Sequence, residues 1–277
     1  MKFGAHYLPT YLSHLDGSVA EFYRRMFEQM EEIERLGFDS AWVTEHHFSD
    51  YGGTVPHPAT FLSAIARTTR RIRLGVAISV LPLHNPLEIA ESYAMVDVIS
   101  NGRLEFGVGK GSEAIEYKRA GASQEEASGR MKEGMEIIRQ AWSDEPVNFR
   151  GEVFEYRNVR VLPKPVQRPH PPVLMGGENA YALRRVVDYC EGWFPRGRAG
   201  EDTILTALAD LKARAARAGR DMRTISTSVF GAKPDPAVIA RFAEAGFTRV
   251  IFGLPSAERD TVLPLLDKHA KLIGSAR

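Results

Sequence analysis

The residues best suited to chemistry form the run Thr44-Glu45-His46-His47-Phe48, directly after the apolar stretch Ala41-Trp42-Val43. An imidazole titrates near neutral pH, so such a cluster suits proton transfer. It also suits metal ligation, or a structural pair of hydrogen-bonded rings. Neighbouring residues on extended chain point to opposite sides, so the three do not easily chelate one ion. No HxH or HxxxH spacing downstream completes a zinc set, and no metal is expected. One histidine of the pair His46-His47, beside Glu45, is the candidate acid/base residue.

Two glycine-rich segments could receive an anion. Phe106-Gly107-Val108-Gly109-Lys110-Gly111-Ser112 combines close backbone approach with a lysine charge. It matches neither the Walker pattern nor the dinucleotide fingerprint, and a tight turn is the competing reading. Met175-Gly176-Gly177-Glu178-Asn179-Ala180 places glycines before a helix, whose free N–H groups suit phosphate. Asn179 reads equally well as a plain N-cap. A third segment, Gly75 to Pro86, holds small residues around Ala77 and Ile78 on which a flat ring could lie, or which simply pack the core before a helix started by Pro86. His6, Tyr7 and Trp193 could wall an apolar pocket; ordinary packing explains them as well.

These segments share a position: each ends a short β-rich run. The chain repeats a unit of amphipathic helix, glycine and strand, as in Leu36-Gly37-Phe38-Asp39-Ser40-Ala41-Trp42-Val43 and Ala245-Gly246-Phe247-Thr248-Arg249-Val250-Ile251-Phe252. Glycine just beyond a helix supplies the left-handed cap at little steric cost. Strands are expected near 2–8, 39–44, 72–80, 104–109, 172–176, 191–195, 225–231 and 248–253. Helices are expected near 18–36, 58–69, 86–100, 123–142, 179–189, 201–218, 235–245 and 258–273. Ser18 and Glu21 have the spacing of a capping box. Eight β/α pairs without a linker predict an α/β fold, a single (β/α)8 TIM barrel over residues 1–277, with a doubly wound open sheet as the alternative. Residues 143–171 break the rhythm and predict an insertion with a small hairpin between barrel strands four and five. In such a barrel the chemistry sits at the C-terminal ends of the strands, where all of the segments above fall.

Composition narrows the function classes. The 277 residues carry 36 basic and 35 acidic side chains, a net charge of +1. Arg70-Arg71-Ile72-Arg73 is the densest basic run and reads as a solvated approach to a strand, so no nucleic-acid partner is expected. One cysteine, Cys190, precludes an intrachain disulfide and fits a reducing cytoplasm. Residues 1–10 lack the pattern of a secretory signal. No stretch approaches the ~18 apolar residues of a membrane span.

In this order, the segments resemble the luciferase-like flavin monooxygenases. The resemblance rests on GFDSAWVTEHHF (37–48), LGVAISVLPLHNP (74–86), SNGRLEFGVGKGS (100–112), FRGEVFEYRNVRVLPKPVQRPHPPVLMGG (149–177) and GFTRVIFGLPS (246–256), and spans nearly the whole chain. It implies a barrel, usually dimeric, that binds reduced FMN or a deazaflavin (coenzyme F420) at its C-terminal mouth. By that resemblance His46 is the active-site histidine beside the reactive edge of the flavin, and Glu45 a neighbouring acid. Ala77-Ile78 falls where many members have a non-prolyl cis peptide behind the ring. Lys110, with Gly111, falls where luciferases carry a phosphate-binding arginine, and Glu178-Asn179, after Gly177, falls on a phosphate-binding Glu-Ser pair. Gly109 stands in place of a luciferase cysteine, so light emission is not implied. Lysine in place of arginine keeps the charge and loses the fork.

The expected activity is that of a two-component monooxygenase, with a separate reductase supplying reduced FMN for oxygen transfer to a small organic substrate. A deazaflavin-dependent dehydrogenase and a non-catalytic flavin-binding protein are the alternatives.

Overall fold

The computed structural model describes residues 1–275. The chain runs through β1 (Lys2–Tyr7), α1 (Ser13–Asp16), α2 (Val19–Arg35), β2 (Ser40–Val43), α3 (Pro58–Thr68), β3 (Arg73–Val80), α4 (Pro86–Ser100), β4 (Leu104–Gly109), α5 (Ala114–Arg119) and α6 (Ala127–Trp142). It continues with β5 (Val147–Arg150), β6 (Glu155–Val159), β7 (Val173–Gly176), α7 (Ala180–Tyr189), β8 (Gly192–Phe194), α8 (Glu201–Arg217), β9 (Ser226–Ala232), α9 (Pro236–Ala245), β10 (Arg249–Leu254) and α10 (Arg259–Ser275). Eight strands close into a parallel barrel in the order β1-β10-β9-β8-β7-β4-β3-β2. The insertion is the antiparallel pair β5 and β6. It is pinned to α6 by the Glu133 carboxylate, which accepts the N–H groups of Glu152, Val153 and Phe154 at 2.8 to 3.0 Å.

Local chemistry explains the helix boundaries. Ser18 and Glu21 form the reciprocal capping box at the start of α2. Asn85 caps α4 with Pro86 in its first turn, and Gly246 ends α9 in the left-handed region. Among the described residues, no helix is long and apolar enough to cross a membrane.

Two apolar layers hold the barrel. The larger packs the outward faces of the strands against the helices and includes Tyr7, Phe106, Trp142, Trp193 and Phe252. The smaller fills the barrel with Trp42, Ala77, Leu174, Phe194 and Ile251, flanked by Ile78 and Phe230. Small residues make room for it. A Cβ on Gly75 would lie 2.1 Å from the Trp42 ring, and one on Gly109 would lie 2.0 Å from Ile78.

Candidate active site

Because the barrel strands are parallel, their C-terminal ends share one mouth. The neighbouring strands β2, β3, β4 and β7 carry His46, Ala77-Ile78, Lys110 and Asn179, so these positions form one contiguous arc. The arc is joined by contact. Ile78 covers Gly109 and Gly176, and Val80 covers Gly111. The Ala77–Ile78 peptide is cis, inside the irregular stretch of β3 between Val76 and Ser79.

His46 is held from behind. Its Nδ1 lies 2.9 Å from Glu116 Oε1, and the same oxygen accepts the His47 N–H at 2.9 Å. A carboxylate oxygen accepts, so Nδ1 is the donor in this bond and Nε2 is the nitrogen left without a hydrogen-bond partner among the described residues. Glu116 is buried on α5, whereas the His46 ring is 24% exposed. The sequence expectation did not include Glu116.

Glu45 lies deeper, 2% exposed. One of its oxygens accepts from His84 Nε2 at 2.7 Å, from the Val80 N–H at 3.0 Å and from His47 Nε2 at 3.3 Å. Burial pushes its pKa up, but the two imidazoles and the backbone N–H outweigh burial and hold it at about 2. Burial also opposes a charge on His47, and the Glu45 bond and charge overcome it, raising His47 above its ordinary value. His84 was absent from the site expected from sequence. With Glu45 and His47 it forms a set of three possible metal-ligand atoms within 4.8 Å of one another. The spacing rules applied to the sequence do not find this set, because its members come from two separate segments. The contact of 2.7 Å and the backbone donor on the same oxygen are nevertheless those of a hydrogen-bonded network.

The anion-binding expectations divide. Lys110 has no ion-pair partner among the described residues, while its carbonyl accepts from the Tyr117 hydroxyl. Gly111 has φ 72°, and Gly177, at φ 103°, precedes α7. Asn179 is the N-cap, its Oδ1 accepting the Ala182 N–H at 2.9 Å, which leaves its amide NH2 available. Among the described residues the N–H groups of Ala180 and Tyr181 lack a backbone acceptor, as the first turn of a helix does. Glu178 is engaged elsewhere: its carboxylate accepts the Arg196 N–H and guanidinium, the latter at 2.9 Å. Arg196 thereby sits beside the α7 terminus.

The expected pocket walls also divide. His6 points into the barrel, its Nε2 2.8 Å from Thr44 Oγ1 and its ring centroid 4.1 Å from that of Phe230. Burial lowers its pKa to about 3, so the ring is neutral at physiological pH although it keeps some exposure at the mouth. Tyr7 and Trp193 do not line the mouth. Both are buried in the layer between strands and helices, Trp193 packed on Phe247 with its indole N–H donating to the Gly177 carbonyl at 2.7 Å. Phe194, one residue on, is the inward aromatic of β8.

A closed barrel with this histidine and glycine arc at its mouth matches the family model of luciferase-like monooxygenases over residues 1–263. The chain belongs to the luciferase-like monooxygenase family. It is 31% identical over 161 residues to the oxygenase component of a flavin-dependent trigonelline monooxygenase from Acinetobacter baylyi, covering 57% of this chain and 44% of that protein. It is 30% identical over 190 residues to an F420-dependent glucose-6-phosphate dehydrogenase from Amycolatopsis mediterranei, covering 66% of this chain and 54% of that protein. The alignments with two uncharacterised Sinorhizobium fredii proteins span only about half of those relatives' length. In fold, it superposes on the crystal structure of the monooxygenase RslO1 from Streptomyces bottropensis with a TM-score of 0.89 at 24% identity, covering 100% of this chain and 99% of that one. The luciferase-like relatives thus include both a flavin-dependent oxygenase and an F420-dependent dehydrogenase.

Proposed function

We propose that this luciferase-like protein is the oxygenase component of a two-component system, using reduced FMN delivered by a separate reductase to oxygenate a small organic substrate. The observation that carries the reading is His46, held by Glu116 through Nδ1 with its Nε2 left unengaged at the mouth. When bound, the flavin supplies the electrons and the activation of dioxygen. His46 Nε2 holds or delivers a proton at the reacting edge. Lys110, the Asn179 amide and the free N–H groups of α7 receive the phosphate. The Ala77-Ile78 bulge backs the ring, and Phe194 and Phe230 keep water from its inner face. Glu45 acts through His47 and His84, fixing the loop that presents His46, and Glu178 positions Arg196 in the same way.

The F420-dependent relative supports a second reading, hydride transfer with a deazaflavin, in which the same histidine takes or gives the alcohol proton. Titration of the protein with reduced FMN and with reduced F420 separates the two. Tight FMN binding and oxygen consumption support the oxygenase; deazaflavin binding without FMN affinity overturns it. Lys110→Ala is expected to weaken FMN and leave riboflavin unaffected, since only FMN carries the phosphate. Equal losses would remove Lys110 from that task. His46→Ala is expected to keep flavin affinity while turnover drops about 10²- to 10⁴-fold; unchanged turnover would exclude His46.

We also infer a cytoplasmic homodimer. α4 is apolar on both sides, burying Ile89, Tyr93 and Val96 while exposing Met95, Val98 and Ile99. A helix that is apolar all round ordinarily has a partner on each face. Sedimentation of Val98→Glu should give a monomer where the parent is a dimer.

A further inference from the structure

A cleft of about 860 Å³ lies between α6 and α7 on the outside of the barrel; of the residues named at the mouth only Tyr181, at the start of α7, reaches its wall. Its walls are mostly apolar, contributed by Met135, Pro169 and Tyr189 together with side-chain stems. The size is that of a small-molecule site. The charges on its rim are unbalanced. Arg184 pairs with Asp188 at 3.5 Å, but among the described residues Lys132, Arg139 and Arg185 have no ion-pair partner, and Glu136 is the only acid left to face them.

Two polar groups at the same place also lack partners. His170 is 9% exposed; its Nδ1 is engaged by the Pro171 carbonyl at 2.9 Å, and its Nε2 has no hydrogen-bond partner. The buried Tyr189 hydroxyl has none either. Buried polar groups are nearly always paired, and these two unpaired atoms lie beneath the cleft wall rather than on it. Cations at the rim with an apolar wall beneath fix its chemistry as an anionic head on a hydrocarbon body.

We propose that this cleft is a second binding site, for a small amphipathic carboxylate such as a medium-chain acid, separate from the barrel mouth. The Arg139 and Arg185 guanidinium groups suit a carboxylate by their fork geometry, and the chain of the acid lies along Met135 and Tyr189. The proposal does not depend on which flavin the mouth takes.

Calorimetric titration of the full chain with decanoate tests it, repeated with decanol and in the presence of saturating FMN. Decanoate is expected to bind once per chain, more tightly than decanol, with or without FMN. Double charge reversal, Arg139→Glu with Arg185→Glu, should weaken it at least about tenfold, whereas Lys233→Glu, an exposed charge elsewhere, should not. Arg139→Gln, which removes one rim charge and keeps much of the side-chain stem, should also weaken it, and so tests the cleft if the double variant fails to fold. Absence of decanoate binding at millimolar concentration, displacement by FMN, or equal weakening by Lys233→Glu would each overturn the proposal. So would self-association of the chain that the double charge reversal abolishes, since the cleft would then be filled by a second copy.

Discussion

The two ends of the barrel place buried carboxylates in different company. At the N-terminal end Glu105 meets Arg249 through paired bonds of 2.6 and 2.8 Å and Arg73 at 2.5 Å, with Asp39 completing the cluster at 2.9 Å from Arg249. At the mouth Glu45 meets His47 and His84, and Glu116 meets His46. Arginine keeps its charge at every physiological pH, whereas imidazole can shed its proton. The bottom is therefore an electrostatic clamp with a fixed charge pattern. The mouth is a network whose charge can change while its hydrogen bonds persist. The difference is the one expected where one end of a barrel serves stability and the other serves chemistry.

Matched substitutions test that contrast. At the bottom, burial opposes the charge of Glu105, but Arg249 and Arg73 outweigh it and hold its pKa below the ordinary value. Glu105→Gln leaves two arginines underpaired in a site they cannot neutralise, and should cost about 3–5 kcal/mol of stability. Glu45→Gln removes a carboxylate that is at least as deeply buried, yet an imidazole partner, unlike an arginine, can become neutral. Its cost should be nearer the ~1–3 kcal/mol of impaired buried hydrogen bonds. Urea denaturation of both variants is the measurement. Equal losses would mean that the mouth is as fixed a clamp as the bottom.

The same contrast marks what the sequence could and could not disclose. Strands β2, β4, β9 and β10 were visible as apolar runs behind a helix and a glycine, because capping and burial are local. The hydrogen-bonded site was not local. Glu116 is 70 residues from His46, and His84 is 39 from Glu45, so their meeting depends on the β2–β3–β4 register. The short helix α5 that carries Glu116 has no side-chain cap to announce it. Tyr7 and Trp193 were misplaced for a different reason. Strands buried on both faces are apolar on both, so alternation does not say which aromatic faces the barrel. His6 and Phe194 face inward, and their neighbours Tyr7 and Trp193 face the helices. The motif around His46 was legible as a motif; its support was not.

The smallest expected effect is the most direct sign of a titrating mouth. His47 has a raised folded-state pKa, so its ion pair adds stability that is complete below its unfolded value of 6.5 and is lost as pH rises through the folded value. Glu45 runs the other way: its depressed value gives stability that is present above 4.5 and lost only as pH falls towards about 2. Across roughly pH 6 to 9 Glu45 stays ionised, so a decline in stability there reports imidazole losing its proton. The arginine cluster contributes no slope in that window, because Arg249 is raised still further by Glu105 and Asp39 despite its burial. His47→Asn, which can still donate a hydrogen bond to Glu45, should flatten this part of the pH–stability curve by less than either carboxylate swap changes total stability. If the variant keeps the full slope of the parent, the titrating group lies elsewhere, and the mouth must be regarded as electrostatically fixed as the bottom.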